Sequence, residues 1–363
     1  MILTLTPNPT IDRVLFVRGF CLGATVRAER ETVTPSGKGV DASLVIHELG
    51  GATIALGLSA GLAGQIHQGL LDKWGVPHEF VPAQGETRTA TVLVDLAVNQ
   101  QSTISAPTLT ATENHLGRLL ALLDRHAGQA WGLICAGSLP PGLPLDTYAR
   151  VLCYARRRRL VTLLDTSGEA LRQGVAGLPH VLKINRDELA FLAAGPGACR
   201  GESPRDSSPG GQQVSAMPDR ADSQAGSFSM GDVDALSRTL NLRLHRWCSD
   251  ALIVTLGGDG ALAVTREGSY VVKSLDVPVV NTAGAGDALN GGLMLARSQH
   301  RSWPAALALG TAAAASAVMN DGTAVCKREQ VEEWMPQVHV RQVQAAWSAI
   351  KEGQHDDDFA RGG

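Results

Sequence analysis

The segment Asn281-Thr282-Ala283-Gly284-Ala285-Gly286-Asp287-Ala288 sets two glycines and a carboxylate at the start of an apolar stretch, Ala288–Ala296, that reads as a helix. A glycine-rich turn entering a helix presents several backbone N–H groups at the positive end of the helix dipole, which makes an anion hole. A carboxylate beside such a hole can take a proton from a hydroxyl while the hole stabilises charge on a transferring phosphoryl group. Taken alone, Asp287 would serve equally as an acid that complements the dipole. A second glycine cluster, Gly257-Gly258-Asp259-Gly260, follows the apolar run Ala251–Leu256 and would let backbone approach a nucleotide. Gly258-x-Gly260-x-x-Ala263 loosely matches a dinucleotide fingerprint. That turn needs a helix after it, and Ala261–Leu275 reads as a β-hairpin about Glu267-Gly268. A Walker A loop is absent, because the one Gly-Lys pair is followed by Gly39, and so is a protein-kinase signature.

These residues need a scaffold, and the apolar patterning supplies one. Short apolar runs at Ile2–Thr6, Ala52–Ala60, Gly132–Ala136, Leu160–Asp165, His180–Asn185 and Ala251–Leu256 alternate with helical segments at Lys38–Leu49, Gln65–Trp74, Thr112–His126 and Leu145–Arg158. Tyr270–Val280 reads as a further β-like segment leading into the glycine turn. Such alternation predicts an α/β fold with a mostly parallel sheet between helices. Thr25–Thr34 and Thr87–Ser105 carry β-branched residues without a following helix and are expected to form a small antiparallel lid, within about 13–35 and 86–106, in which the alternate residues Val92, Val94 and Leu96 form one apolar face, part of it covering the site and the rest offered to the same lid on a second copy. Pro196–Gly231, rich in Gly, Ser, Pro and Asp, is expected to be a disordered insertion, and 341–363 a fraying tail on a single domain spanning 1–340.

Composition narrows the function classes. The 363 residues carry 32 Lys+Arg and 35 Asp+Glu, a formal net charge of −3, which argues against a nucleic-acid partner. Hydrophobic residues at 44% and charged residues at 18% fit a globular chain. Glycine, at 40 residues, exceeds the ~7% usual share, as expected of tight βα turns. MILTLTPNPTIDR has neither a basic start nor a long apolar core, so no signal peptide is expected. Ser302–Asn320 is rich in alanine and reads as a buried helix rather than a membrane span. The six cysteines are scattered without a C-x-x-C pair, which suggests reduced, mostly buried thiols in the cytoplasm. The run Arg156–Arg159 reads as a solvated helix end.

The motifs TPNPTIDR (Thr6–Arg13), SGKGVDAS (Ser36–Ser43), GETRT (Gly85–Thr89), GSLPPG (Gly137–Gly142), DTSGEAL (Asp165–Leu171), KINRDEL (Lys183–Leu189), TLGGDGAL (Thr255–Leu262), NTAGAGDALNGG (Asn281–Gly292) and NDGTA (Asn320–Ala324) occur in one order along the chain. Together they resemble the PfkB-type, ribokinase-like carbohydrate kinases, and among them the group that includes 1-phosphofructokinase, tagatose-6-phosphate kinase and the minor 6-phosphofructokinase. The resemblance implies a three-layer αβα sandwich with a β lid, a phosphorylated ketohexose and ATP as substrates, Mg²⁺ as cofactor, and a homodimer joined through the lid. Fructose 1-phosphate is the first substrate expectation; fructose 6-phosphate and tagatose 6-phosphate stand beside it.

The resemblance also implies roles. Asp287 would be the base, in a catalytic turn with Gly284, Ala285 and Gly286, and the backbone N–H groups of Ala285, Gly286 and Asp287 would stabilise the transferring phosphoryl group. Asp12 and the turn Gly37, Lys38, Gly39 would hold the sugar, with Ser138 contacting it. Arg27, Lys38 and Arg88 would converge on the substrate's own phosphate. Lys183, Asn185 and Glu188 would organise nucleotide phosphates, with Glu188 reaching Mg²⁺ through water. Thr255, Gly257 and Gly260 would contact the nucleotide. Asp41 stands where the family usually has asparagine, which sets a carboxylate near a phosphosugar and motivates a second reading, a sugar-phosphate-binding protein of weak activity. Lys183-Ile184-Asn185 lacks the family's usual proline; Ala283 and Ala288 replace a usual valine and serine.

Overall fold

The computed structural model describes residues 1–195, 240 and 246–344. Seven strands form a parallel sheet: β1 (Ile2–Thr6), β4 (Thr53–Ser59), β5 (His78–Pro82), β10 (Gly132–Ala136), β11 (Val161–Asp165), β12 (Val181–Asn185) and β13 (Ala251–Thr255). Three antiparallel strands, β14 (Ala261–Thr265), β15 (Gly268–Val272) and β16 (Val340–Gln344), extend one edge, so the spatial order is β16-β15-β14-β13-β12-β11-β10-β1-β4-β5. The strand pattern repeats every two residues, and the two faces therefore bury different sets. Leu3 and Leu5 join the core under the helices Glu113–Ala127, Thr147–Arg157 and Gly168–Gly174, while Ile2 joins the core under Lys38–Glu48, Ala285–Ser298 and Trp303–Val318. This is the expected three-layer α/β sandwich.

The helix Trp303–Val318 is buried on nearly all sides, as its alanine content requires. A methyl added to Gly292 would lie 2.9 Å from Gly310 Cα, so small residues let this helix press against Ala285–Ser298. No helix among the described residues is long and apolar enough to cross a membrane.

A second sheet stands over the strand ends in the order β3-β2-β7-β8: β2 (Thr10–Val17), β3 (Arg30–Ser36), β7 (Arg88–Asp95) and β8 (Gln100–Ser105). β2 pairs antiparallel with β3 and parallel with β7, so the lid is mixed rather than wholly antiparallel. Its first segment also starts later than expected: 25–28 are irregular and the strand begins at Arg30. A two-stranded ribbon, β6 (Gln84–Gly85) and β9 (Leu109–Thr110), completes the set.

Other expectations shift in detail. The segment Tyr270–Val280 is strand only to Val272, and 273–280 then run without regular structure to the glycine turn. The central sheet continues through Gln344, beyond the expected boundary at 340. The expected disordered insertion and the fraying tail beyond 344 fall wholly outside the described residues. Arg156 donates to the carbonyls of Gly177 and Leu178, and Arg158 pairs with Asp124, so those two arginines serve local packing. Cys135, Cys248 and Cys326 are buried; Cys21 and Cys153 are exposed.

Candidate active site

The C-terminal ends of parallel strands gather the chemistry, as in open α/β sheets generally. Asp165 ends β11, Lys183 and Asn185 lie at the end of β12, Thr255 ends β13, and Thr6 ends β1 beside the Lys38–Glu48 helix. Asp165 is fully buried and accepts three hydrogen bonds: from Lys38 Nζ (2.5 Å) to Oδ1, and from Lys183 Nζ (2.8 Å) and Asn290 Nδ2 (2.7 Å) to Oδ2. Burial alone would raise its pKa, but the two ammonium groups outweigh burial and hold the carboxyl well below the usual carboxylate range.

The glycine turn takes the shape the motif demands. Gly284 caps the Ala285–Ser298 helix with φ +80°, a conformation that favours glycine, and a methyl there would strike Ala324 N at 2.4 Å. Asn281 Oδ1 accepts from Ala283 N at 2.9 Å, which shapes the turn from inside. The Ala285 and Asp287 N–H groups close the turn on Thr282 and Gly284 carbonyls at 3.4 and 3.1 Å; among the described residues the Gly286 N–H has no hydrogen-bond partner. A methyl on Gly286 would lie 2.7 Å from Lys183 Nζ, so the ammonium sits directly over the turn.

Asp287 is 8% exposed, in the first turn of that helix, and its Oδ1 is buried without a hydrogen-bond partner. Burial, with the charges of Asp165 and Asp12, pushes its pKa up to about 7 against the opposing Lys38 and Lys183. A carboxylate near neutrality, with a vacant oxygen beside an anion hole, is poised to take a hydroxyl proton.

On the other side of Asp287 the lid's inner face supplies polar groups. Ser36, Thr10 and Arg88 form one row across β3, β2 and β7; Thr34, Asp12 and Ala90 form the next. Asp12 Oδ2 accepts from Thr323 Oγ1 at 2.8 Å and Ser36 Oγ lies 3.1 Å away, while Asp12 Oδ1 is buried and unpartnered. Arg88 Nη2 donates to Asn8 O at 3.4 Å, and Asn8 Nδ2 donates to Ser138 Oγ at 3.1 Å. Asn8, Arg88 and Ser138 line a cavity of about 560 Å³, within the ~300–1,000 Å³ range of small-molecule sites.

Gly37, with φ +116°, caps the Lys38–Glu48 helix; a methyl on Gly39 would lie 2.5 Å from Thr6 Oγ1. Lys38 turns to Asp165, so no contact sets it beside Arg88. Arg27 is exposed between β2 and β3, and no hydrogen bond or ion pair ties it to the site. The expected convergence of three cations is therefore not the arrangement of this chain; Arg88 alone of the three faces Asp12 and Asp41.

Asn185 and Glu188 cap the Arg186–Ala193 helix reciprocally, Glu188 N donating to Asn185 Oδ1 and Asn185 N to Glu188 Oε2, each 2.8 Å. Glu188 Oε1 makes no hydrogen bond among the described residues. Thr255 sits opposite Asn185 in register, and Gly257 and Gly260 shape the turn beyond it at φ +64° and +97°. No cluster of three or more metal-ligating side chains occurs among the described residues. Mg²⁺ commonly takes one or two carboxylates plus phosphate oxygens, so the hard oxygen of buried Glu188 fits such a role.

Five functional candidates had no assigned role in the sequence reading: Asn8, Ser36, Asp165, Asn290 and Thr323. Each lies inside a motif named above, and Asn290 follows Asp287 by three residues, one helical turn on the same face. Gln101, whose Oε1 accepts from Thr282 N at 3.1 Å, belongs to no motif. Val92 and Val94, expected to offer a face to a second copy, are buried within the chain with Val14, Phe16 and Val280.

Comparison with known proteins follows the same lines. The description "pfkB family carbohydrate kinase" matches residues 8–215 and 233–330. The chain is 28% identical to the ATP-dependent 6-phosphofructokinase isozyme 2 of Mycobacterium tuberculosis over 355 residues, covering 96% of this chain and 94% of that protein. It is 25% identical to the 1-phosphofructokinase of Bacillus subtilis, covering 94% and 99%. Phosphofructokinase-2 from Escherichia coli, solved in complex with substrates and products, shares the fold at TM-score 0.77 and 24% identity over 93% of this chain and 98% of that one.

Proposed function

The chain belongs to the pfkB family of carbohydrate kinases, and from that premise we propose that it transfers the γ-phosphoryl group of ATP to a hydroxyl of a phosphorylated ketohexose, fructose 1-phosphate in the first instance. The observation that carries the reading is Asp287, with a vacant buried oxygen at the head of a glycine-capped helix and an ammonium 2.7 Å from where a Gly286 side chain would begin. Asp287 takes the hydroxyl proton. The backbone of Gly284–Asp287 and the Lys183 ammonium face the transferring phosphoryl group. Asp165 fixes Lys38 and Lys183 so that neither swings away between turnovers. Glu188 would hold Mg²⁺ through water, with Thr255, Gly257 and Gly260 along the nucleotide. Mg²⁺ bound there would offset phosphate charge. Asp12, Asp41 and the Gly37–Gly39 turn hold the sugar, and the lid keeps water from the reaction.

Fructose 6-phosphate is the second reading, favoured by the relative named 6-phosphofructokinase and by the NDGTA loop. Turnover of purified protein with ATP and Mg²⁺ against fructose 1-phosphate, fructose 6-phosphate and tagatose 6-phosphate decides among them. No turnover on any of these would leave a binding protein instead. The cytoplasm, where thiols stay reduced, is the setting of this reading.

Arg88 is the cation we assign to the substrate's own phosphate. Arg88→Ala is expected to raise KM for the sugar phosphate by about 1.5–3 kcal/mol of lost charge-assisted contact, with KM for ATP nearly unchanged. Equal effects on both substrates would remove the assignment.

The outer lid face supports a homodimer. Val33, Arg13, Thr91 and Ile104 form one row across it, and Glu31, Leu15, Leu93 and Ser102 the next. Val33 is 40% and Ile104 64% exposed, and Leu15 and Leu93 are half-buried. An isologous contact would cover both copies' faces. Light scattering is expected to give twice the 38.1 kDa chain mass, and Ile104→Asp with Leu15→Asp to return it to one chain. A fully active monomer would sink the proposal.

A further inference from the structure

Ser36 Oγ lies 3.1 Å from Asp12 Oδ2 and 3.0 Å from Asp41 Oδ2. A serine hydroxyl has one proton to donate. It can satisfy one carboxylate, and must then meet the other as an acceptor. Two ionised carboxylates flanking one hydroxyl would leave an oxygen pair in repulsion, in a site where both residues are almost wholly buried. One of the two acids must supply a proton.

The surroundings choose which. Burial raises the Asp12 pKa, but the Thr323 hydroxyl it accepts from and the Arg88 guanidinium both favour its charged form. Asp41, 2% exposed, faces the like charges of Asp287 from the Ala285–Ser298 helix and Asp12 from β2. Arg88 on β7 faces it from the lid, and the Gly37 N–H from its own turn. His67 Nε2 lies 3.2 Å from the Ser36 carbonyl oxygen, a fully buried ring that steadies the serine backbone. Burial keeps that imidazole neutral, with its pKa pushed down to about 4, so it adds no charge.

Building on the sugar site assigned above, we propose that Asp41 is a neutral acid that donates its proton to the Ser36 hydroxyl, which donates in turn to Asp12, so that the three residues form a directed chain carrying one negative charge. A protonated carboxyl offers one donor and one acceptor, as an amide does. The acid at position 41 thereby keeps the hydrogen-bonding of an asparagine without setting a second charge against the substrate phosphate. Asp12 Oδ1 and Asp41 Oδ1, both unpartnered, are left for sugar hydroxyls.

Difference infrared spectroscopy reads the proton directly and needs no substrate. Wild type minus Asp41→Asn at pH 7 is expected to show a protonated-carboxyl C=O band that shifts in D2O; carboxylate bands alone would overturn the proposal. Stability gives a second reading. A carboxyl whose pKa is raised by folding stabilises the native state most below its unfolded pKa, and that contribution fades as pH rises towards the folded value. Asp41→Asn should therefore gain in urea midpoint over wild type as pH rises from 5 to 9, and a pH-independent difference would count against it. If Asp41→Asn does not fold, Ser36→Ala serves: the band should move as its acceptor is lost, and an unmoved band would overturn the chain. In turnover, KM for the sugar phosphate should rise about tenfold per pH unit above the ionisation of Asp41 and flatten in Asp41→Asn. Inactivity on every sugar phosphate would remove the kinase reading and leave the infrared result standing.

Discussion

Asp287→Asn is expected to lower kcat by ~10²–10⁴-fold while the fold and ATP binding survive. Asparagine keeps the shape and the place in the first helical turn, and loses only the ability to take a proton. The effect should fall on kcat and on kcat/KM together, because proton transfer happens in the transition state. In wild type the same group sets the acid limb of the rate profile. With its pKa pushed up to about 7 by burial and by its acidic neighbours, Asp287 is protonated and idle in acid, and kcat should rise through neutrality to a plateau. Stopped-assay kinetics from pH 5.5 to 8.5 check both points. Near-normal kcat in the variant, or a flat acid limb in wild type, would remove Asp287 as the base.

Asp165→Ala should be the most damaging change to stability, costing about 3–5 kcal/mol. Asp165 is fully buried and receives Lys38, Lys183 and Asn290 at once. Its removal leaves the Lys183 ammonium, itself only 8% exposed, without its hydrogen-bonded anion. The penalty belongs to the stranded charge rather than to the pair. Adding Lys183→Met to Asp165→Ala should therefore recover part of the loss in urea denaturation, even though activity stays low. A double variant no more stable than Asp165→Ala would show that the cost arises from the cavity instead.

Local pattern made much of this legible. β10 runs over Gly132–Ala136 as the apolar run indicates, and the hairpin about Glu267-Gly268 is present, which is why the dinucleotide reading of Gly258–Ala263 fails. Asp287 stood out because a glycine turn, a helix start and a carboxylate lie within a few residues. The groups that support it were harder to see. Asp165 meets Lys38 across 127 residues and Asn290 across 125, and no local period encodes which strand end faces which helix turn. The expected lid bound of about 13 leaves out Thr10–Asp12, although Thr10–Val17 is the strand between β3 and β7 that carries Asp12. The two lid faces were confused for a similar reason. Alternation showed that Val92 and Val94 share a face, but the body segment that covers them, around Val280, is nearly two hundred residues away in the chain.

The loop Asn320–Ala324 closes the site: Thr323 reaches Asp12 across 311 residues, Asp321 pairs with Arg30 across 291, and Ala324 presses on Gly284. On the ribosome this means that the acids of the sugar site are made first and their last partner comes 311 residues after Asp12. At ~5–20 residues per second, Asp12 waits tens of seconds for Thr323. Over that interval the lid strands exist without the body residues that hold them down, and the catalytic turn does not exist at all. Assembly of the chemistry is thus late in timing, the closure of a chain whose scaffold strands have long been available to pair. Such distant closures are slow steps in folding. A nascent chain of this protein therefore cannot spend ATP until Thr323 has been made.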